Sequence, residues 1–198
     1  MSCGIRFNIR TANPEPVMIV LGVDPGSRVT GYGVVQIVQG QEQLVEYGVL
    51  KLDTQKSHQW RLKQVYDRLL SIIDRCLPDA CAVEMPVYGK NPQSMLKLAR
   101  VQAVAMLAAL NREIPVVEYT PKEVKKSATG SGNASKEQVW YMTRSVLKIT
   151  DADPELGLDA SDALAVALCH AHRGAKGKTP QHDSWDSFLK ANRHRIIG

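Results

Sequence analysis

The sequence predicts an α/β fold with a mixed five-stranded sheet flanked by helices, and three observations carry that prediction. Three strand-like segments, 17–24, 30–38 and 44–52, follow one another through short turns, which implies an antiparallel meander. Two further short strands, 80–85 and 115–119, each follow a helix-length segment. Such crossovers make a strand parallel to a neighbour. The longer periodic segments repeat their apolar residues at helical spacing.

In chain order, residues 1–17 lack periodicity and carry Pro14 and Pro16, so they read as an extension outside the fold. The apolar run from Val17 to Val23 ends on Asp24, and Pro25-Gly26-Ser27 follows. A short apolar run bounded by turn residues reads as a buried strand, which places Asp24 at a strand end before a hairpin. Gln39-Gly40-Gln41 reads as the next turn, and the third strand alternates with Val45, Tyr47 and Val49 on one face. A helix is expected over 58–77, with an apolar stripe of Trp60, Leu62, Val65, Tyr66, Leu69, Leu70, Ile73 and Leu77, and Pro78 stops it. The strand over 80–85 contains Glu84, and Pro86 breaks it.

The helix over 93–111 is apolar on most faces, through Met95, Leu96, Val101, Val104, Leu107 and Leu110. It must be buried on more than one side, which suits part core and part subunit contact. Thr120 as N-cap and Pro121 at the first position open a short helix carrying Lys122, Lys125 and Lys126. Gly130-Ser131-Gly132-Asn133 turns the chain. Ser135 and Gln138 then form a capping box for a helix over 135–147. After a loop over 151–157, the last helix spans 158–172. From Gly174 the chain is basic, with Trp185 and Phe188 interspersed, and reads as a tail.

With 198 residues, 44% hydrophobic and 23% charged, the chain suits one domain with tails. The division is 1–17 extension, 18–173 domain and 174–198 tail. A formal charge of +5 tilts toward an anionic partner. No apolar run is long enough to span a bilayer and no secretory signal is visible, so no membrane partner and a cytoplasmic location are expected. Among the four cysteines, Cys76, Cys81 and Cys169 fall in apolar surroundings and read as core residues, and none shows metal-ligand spacing.

Acids recur at three informative places. Asp24 and Glu84 end strands that should run parallel and finish at one sheet edge. Asp159 and Asp162 share a face at the start of the last helix. Two like charges about 4 Å apart cost on the order of 4 kcal/mol at an effective dielectric near 20. Such a cluster needs raised pKa values or divalent metal. Oxygen-only ligands select Mg²⁺ or Mn²⁺, and two such ions support phosphodiester hydrolysis. Simpler readings stand beside this one. Asp24 could cap its own turn, and Asp159 and Asp162 suit a helix N-terminus. Glu84 has no comparable explanation, since Glu after Cys81-Ala82-Val83 is disfavoured by propensity and burial.

Gly130 to Lys136 superficially suggests a phosphate loop, but that pattern would need glycine at position 135. Lys136 at a helix N-terminus nonetheless suits a phosphate. Lys122, Lys125, Lys126 and Lys136, with Arg28, Lys90 and Lys97, form an expected basic surface around the acids. His170 and His172 lie on different helix faces and make a poor metal pair.

These residues carry a resemblance. Val23-Asp24-Pro25-Gly26-Ser27-Arg28 with Thr30-Gly31-Tyr32-Gly33 resembles the opening of the RuvC family of Holliday-junction resolvases. Val83-Glu84-Met85-Pro86, followed by Gly89-Lys90-Asn91, Ser94 and Leu96-Lys97-Leu98, resembles its second acidic motif, and Asp159-Ala160-Ser161-Asp162-Ala163-Leu164-Ala165 its last. Met18 stands where chains of that family commonly begin. The resemblance implies a ribonuclease-H-like fold and a homodimer that nicks four-way DNA junctions symmetrically, with two Mg²⁺ ions per site and Mn²⁺ able to substitute. It implies that Asp24, Glu84, Asp159 and Asp162 bind the metals and that Lys125 and Lys136 are the functional lysines. It also implies work alongside a branch-migration helicase. One departure stands out. Where the family carries a stacking Phe, this chain has Val87, and the neighbouring Tyr88 is the aromatic available for stacking. Two other readings remain: a related nuclease of RNA–DNA hybrids, and a junction-binding protein without turnover. A sugar-kinase or actin-like ATPase also opens on a strand, an acid and a glycine turn, but this chain is too short for two such lobes.

Overall fold

A computed structural model describes residues 17–86, 91–150 and 157–175. Val87, Tyr88, Lys90, most of the 151–157 loop, nearly all of the N-terminal extension and the tail beyond residue 175 lie outside the described residues.

The elements, in chain order, are β1 (Met18–Asp24), β2 (Val29–Val38), β3 (Gln41–Lys51), α1 (His58–Cys76), β4 (Ala80–Glu84), α2 (Pro92–Leu110), β5 (Val116–Tyr119), α3 (Pro121–Thr129), α4 (Lys136–Leu147) and α5 (Leu158–Ala175). The strands form one mixed five-stranded sheet in the order β3-β2-β1-β4-β5. The first three pair antiparallel, and β4 and β5 pair parallel to their neighbours. This is the α/β architecture that the two kinds of connection predict.

One core lies between the sheet and α1 and α2, where Leu21, Val23, Val65, Leu69 and Val101 are buried together. The other lies on the opposite face, where Val20, Val35, Tyr119, Leu164 and Leu168 pack under α3, α4 and α5. Burying each such aliphatic side chain contributes about 1.5–3 kcal/mol. Cys76, Cys81 and Cys169 are buried free thiols, as their surroundings predict.

Three local expectations need correction. Gln39 (φ 54°) and Gly40 (φ 76°) alone form the hairpin turn, so Gln41 already belongs to β3; two positive φ values suit a two-residue turn whose twist matches the strands. Val45 does not share a face with Tyr47 and Val49. Val34 pairs with Glu46 but Val35 with Leu44, and the extra residue inverts the alternation. Val45 therefore packs on the α1/α2 side and Tyr47 and Val49 on the other. Trp60 and Leu77 lie outside the stripe of α1, 59% and 62% exposed. Trp60 sits in the first turn, after the Ser57 cap, and Leu77 is a left-handed C-cap (φ 48°), so each points off the end of the packed face.

Helix α5 lies unusually close to β1 and β2. A Cβ at Gly22 would come 2.2 Å from the Ala163 carbonyl, and one at Gly31 would come 2.0 Å from the Asp159 carbonyl. Backbone-to-backbone approach of this kind requires glycine. It brings the first turn of α5 down onto the sheet edge where β1 ends.

Candidate active site

The register Val23↔Val83 of the parallel pair makes Asp24 and Glu84 neighbours at the same sheet edge. Their carboxyl groups share a hydrogen bond. The turn after Asp24 is held by a different residue. The buried Thr30 hydroxyl donates to the Gly26 carbonyl (2.9 Å) and accepts from the Gly26 amide (3.3 Å). Arg61 of α1 also donates to the Ser27 carbonyl (2.9 Å). The reading of Asp24 as a mere turn cap therefore fails, because the turn has its own clamp.

Asp162, on the first turns of α5, completes the carboxylate cluster. Lys136 reaches it from the first position of α4, with Nζ 2.6 Å from Oδ2. The Ser135–Gln138 capping box fixes that helix start (2.9 and 3.3 Å). Asp24, Glu84, Asp162, Lys125 and Lys136 line one cleft of about 380 Å³. Its apolar walls come from Pro25, Pro86, Leu98, Pro121, Val124 and Val139. These walls were not singled out in the sequence; the prolines after each acid and the apolar positions beside the lysines were the available signal. A larger depression of about 590 Å³ on α1, lined by Asp67, Leu70, Ser71, Asp74 and Arg75, is an open surface whose charges are paired with Lys63, Arg112 and Glu46.

Electrostatics separates the cleft from such a surface. Burial pushes Asp24 up to about 6, with Asp162 and Asp159 adding repulsion, while Lys136 and the bond to Glu84 act downward. Burial pushes Glu84 up to about 8, and Asp24 and Asp162 add to it. Near neutral pH the pair therefore retains a proton. The hydrogen bond to Asp162 raises Lys136, which stays an ammonium.

Among the described residues, no group of three or more His, Cys, Asp or Glu side chains is already gathered to hold a metal ion. The donor set still fits a hard divalent cation, since all the acids offer oxygen and a cation would displace the proton that burial keeps on the Asp24–Glu84 pair.

The other expected site residues lie further out. Asp159 is exposed and does not line the cleft, although Asp24 feels its charge. Lys122 packs along Gly132, and Lys126 is exposed, its carbonyl accepting the Gly130 amide. Arg28 is exposed at the start of β2. Lys97 is exposed on α2, next to the cleft residue Leu98.

Residues 20–170 match the family model described as crossover junction endodeoxyribonuclease RuvC. The chain is 55% identical to the crossover junction endodeoxyribonuclease RuvC of Salinibacter ruber over 90% of this chain and 99% of that one. Its fold is similar to a Thermus thermophilus RuvC structure (TM-score 0.74, 31% identity, 81% of this chain and 97% of that one). It is equally similar to T. thermophilus RuvC in complex with Holliday junction substrate (TM-score 0.74, 32% identity, 81% and 96%). Among the described residues, no helix is long and apolar enough to cross a membrane.

Proposed function

The chain belongs to the RuvC family of crossover junction endodeoxyribonucleases, and from that premise we propose that it resolves four-way DNA junctions by hydrolysing backbone phosphodiesters as a paired, symmetric nuclease. One observation carries this beyond family membership: Asp24, Glu84 and Asp162 share a cleft with Lys125 and Lys136, and the two strand-end acids are held with raised pKa values. A binding module has no use for carboxylates kept in each other's repulsion.

Asp24, Glu84, Asp162 and Asp159 would hold the catalytic ions, two Mg²⁺ per site with Mn²⁺ able to substitute, and ions held there would supply an activated water and offset charge on the phosphate. The chain's own groups do the rest. Lys136, released from Asp162, donates to a non-bridging phosphate oxygen, and Lys125 supplies a second positive charge from the facing wall. Leu98, Val124 and Val139 restrict bulk water beside the reacting group. Hydrolysis leaves a 5′-phosphate and a 3′-hydroxyl. Residues 18–173 carry this activity, with 1–17 and 174–198 appended, and the protein works in the cytoplasm.

A homodimer is supported by the C-terminal half of α2, where Leu107 and Leu110 are 52% and 50% exposed. A two-fold contact through that half of the helix covers them and sets two identical clefts on two strands. Sedimentation of the chain at twice its monomer mass is expected, and a monomer at micromolar concentration rules the contact out.

The functional test is Asp24→Asn on a mobile four-way junction with Mg²⁺. Junction binding is retained, and paired nicks disappear. Cleavage by this variant at the parent rate would show the site assignment to be wrong, and preferential cutting of an RNA–DNA hybrid by the parent would replace the substrate.

A further inference from the structure

A second charged cluster lies on the seam between α1 and α2, beside the cleft. His58 occupies the first position of α1, after the Ser57 cap. Both of its ring nitrogens are covered and have no hydrogen-bond partner, and the same holds for Nε of Arg61. Arg61 faces the same seam and anchors the Ser27 carbonyl in the turn that follows Asp24. The charged groups acting on the His58 ring are Arg61 from its own helix and Arg100 and Lys97 from α2, all of them cations. Lys97 and Arg100 are exposed, and Lys97 adjoins Leu98 in the cleft wall.

Covered polar atoms without partners are rare because each loses its hydration for nothing. Three of them sit in a seam where the charges acting on the His58 ring are all positive and none supplies a counter-charge, and the exposed Lys97 and Arg100 are the groups an anion from outside meets first. The amino end of α1 adds its partial positive charge. Planar guanidinium groups and an ammonium suit a phosphate in particular.

We propose that His58, Arg61, Lys97 and Arg100 form a phosphate-binding subsite that holds a junction backbone phosphate flanking the one in the cleft, with His58 protonated while the phosphate is bound. This rests on the reading of the chain as a junction nuclease and adds to it a contact outside the carboxylate cleft. Arg61 links the two places, since the residue that would grip the flanking phosphate also holds the turn behind Asp24.

The protonation has a defined sign. In the free protein burial lowers the pKa of His58, and Arg61, Arg100 and Lys97 lower it further, so the ring is neutral near pH 7. A bound phosphate opposes those cations and favours the imidazolium. Binding then takes up a proton, and affinity rises as pH falls.

The test measures junction affinity in EDTA, where no cleavage intervenes, for the parent, His58→Gln and the double variant Lys97→Gln/Arg100→Gln. Thermal denaturation checks that each variant is folded. The double variant is expected to bind about tenfold more weakly, with its log–log salt slope reduced by about 1–2, since each lost phosphate contact removes about 0.9. The parent is expected to tighten between about pH 8 and about pH 6, and His58→Gln to lose most of that tightening. The His58 Cε1–H resonance is expected to titrate at higher pH once junction is bound, and to move in the same direction with millimolar inorganic phosphate alone. Equal affinity, equal salt slope and an unchanged His58 titration overturn the subsite. Failure of the parent itself to bind four-way junctions instead overturns the functional reading beneath it.

Discussion

Glu46 and Glu84 are both partly buried carboxylates on the same sheet, and they are surrounded in opposite ways. Glu46 of β3 accepts from the Tyr32 hydroxyl (2.8 Å) and from two Arg75 nitrogens (2.6 and 3.1 Å), with the Cys76 thiol near by (3.7 Å). Every near neighbour is a donor. Glu84 of β4 faces Asp24 and Asp162, and the nearby ammonium of Lys136 is engaged by Asp162. Burial and repulsion push it up to about 8. A carboxylate that serves stability is enclosed by donors, whereas one that serves chemistry is kept among its own kind until an external positive charge arrives.

Paired substitutions test that contrast with the largest expected effect. Glu84→Gln is expected to reduce junction cleavage about a thousandfold, equivalent to about 4 kcal/mol of transition-state stabilisation. It should also raise the melting temperature of the metal-free protein, because it removes a frustrated acid. Glu46→Gln is expected to do the reverse. Cleavage stays within about twofold, while stability falls by about 1.5–3 kcal/mol through the lost charge-assisted bonds. Urea denaturation and junction cleavage measured on both variants decide it, and equal loss of activity in the two would break the contrast.

A smaller effect, specific to the cleft, appears in the pH dependence of stability. The folded pKa values of Asp24 and Glu84, about 6 and about 8, lie above the ordinary 3.8 and 4.5. The unfolded chain gives up these protons first. Over roughly pH 4 to 8 the folded state therefore holds more protons, and its stability falls as pH rises. Metal-free protein is expected to melt lower at about pH 8 than at about pH 5. Mg²⁺ should restore more stability at the higher pH, and its binding near neutrality should release protons. Glu84→Gln should flatten the slope. A parent slope that matches the variant's would show that the shared proton is not there.

Much of this contrast was legible in the sequence, and unevenly so. Glu84 stood out because an acid after Cys81-Ala82-Val83 contradicts strand propensity, and the crossover before it predicted that it would meet Asp24. Glu46 gave no such signal. It lies in a strand of alternating polar residues, and the bulge that turns it toward α1 comes from the pairing of Val34 with Glu46 and Val35 with Leu44, which no local pattern announces. Trp60 failed for a related reason. Helical periodicity assigns a face but cannot tell where along a helix the neighbouring layer stops. The close seating of α5 was written in Gly22 and Gly31, but a strand glycine signals close approach without naming the partner. The covered nitrogens of His58 and Arg61 were invisible too, since their isolation depends on how α1 packs against α2.

The weakest expected effect comes from a carboxylate that is neither enclosed nor frustrated. Asp67 pairs with Lys63 one helical turn away on α1, and the two side chains are 53% and 58% exposed. Water solvates both groups in the folded and unfolded states, so their attraction is screened and partly offset by the entropy of holding two long side chains. Asp67→Asn is expected to cost about 0.3–0.5 kcal/mol at low salt and almost nothing at about 0.5 M, with cleavage unaffected. The salt dependence matters more than the size. If stability depends on burial and partners rather than on charge alone, the Asp67 effect fades with salt while the Glu46 loss persists, because the Tyr32 and Arg75 donors are held in place around a partly dehydrated acid. Equal salt sensitivity at the two positions would mean that Glu46 is only a better-placed surface charge, and its contrast with Glu84 would then reduce to exposure.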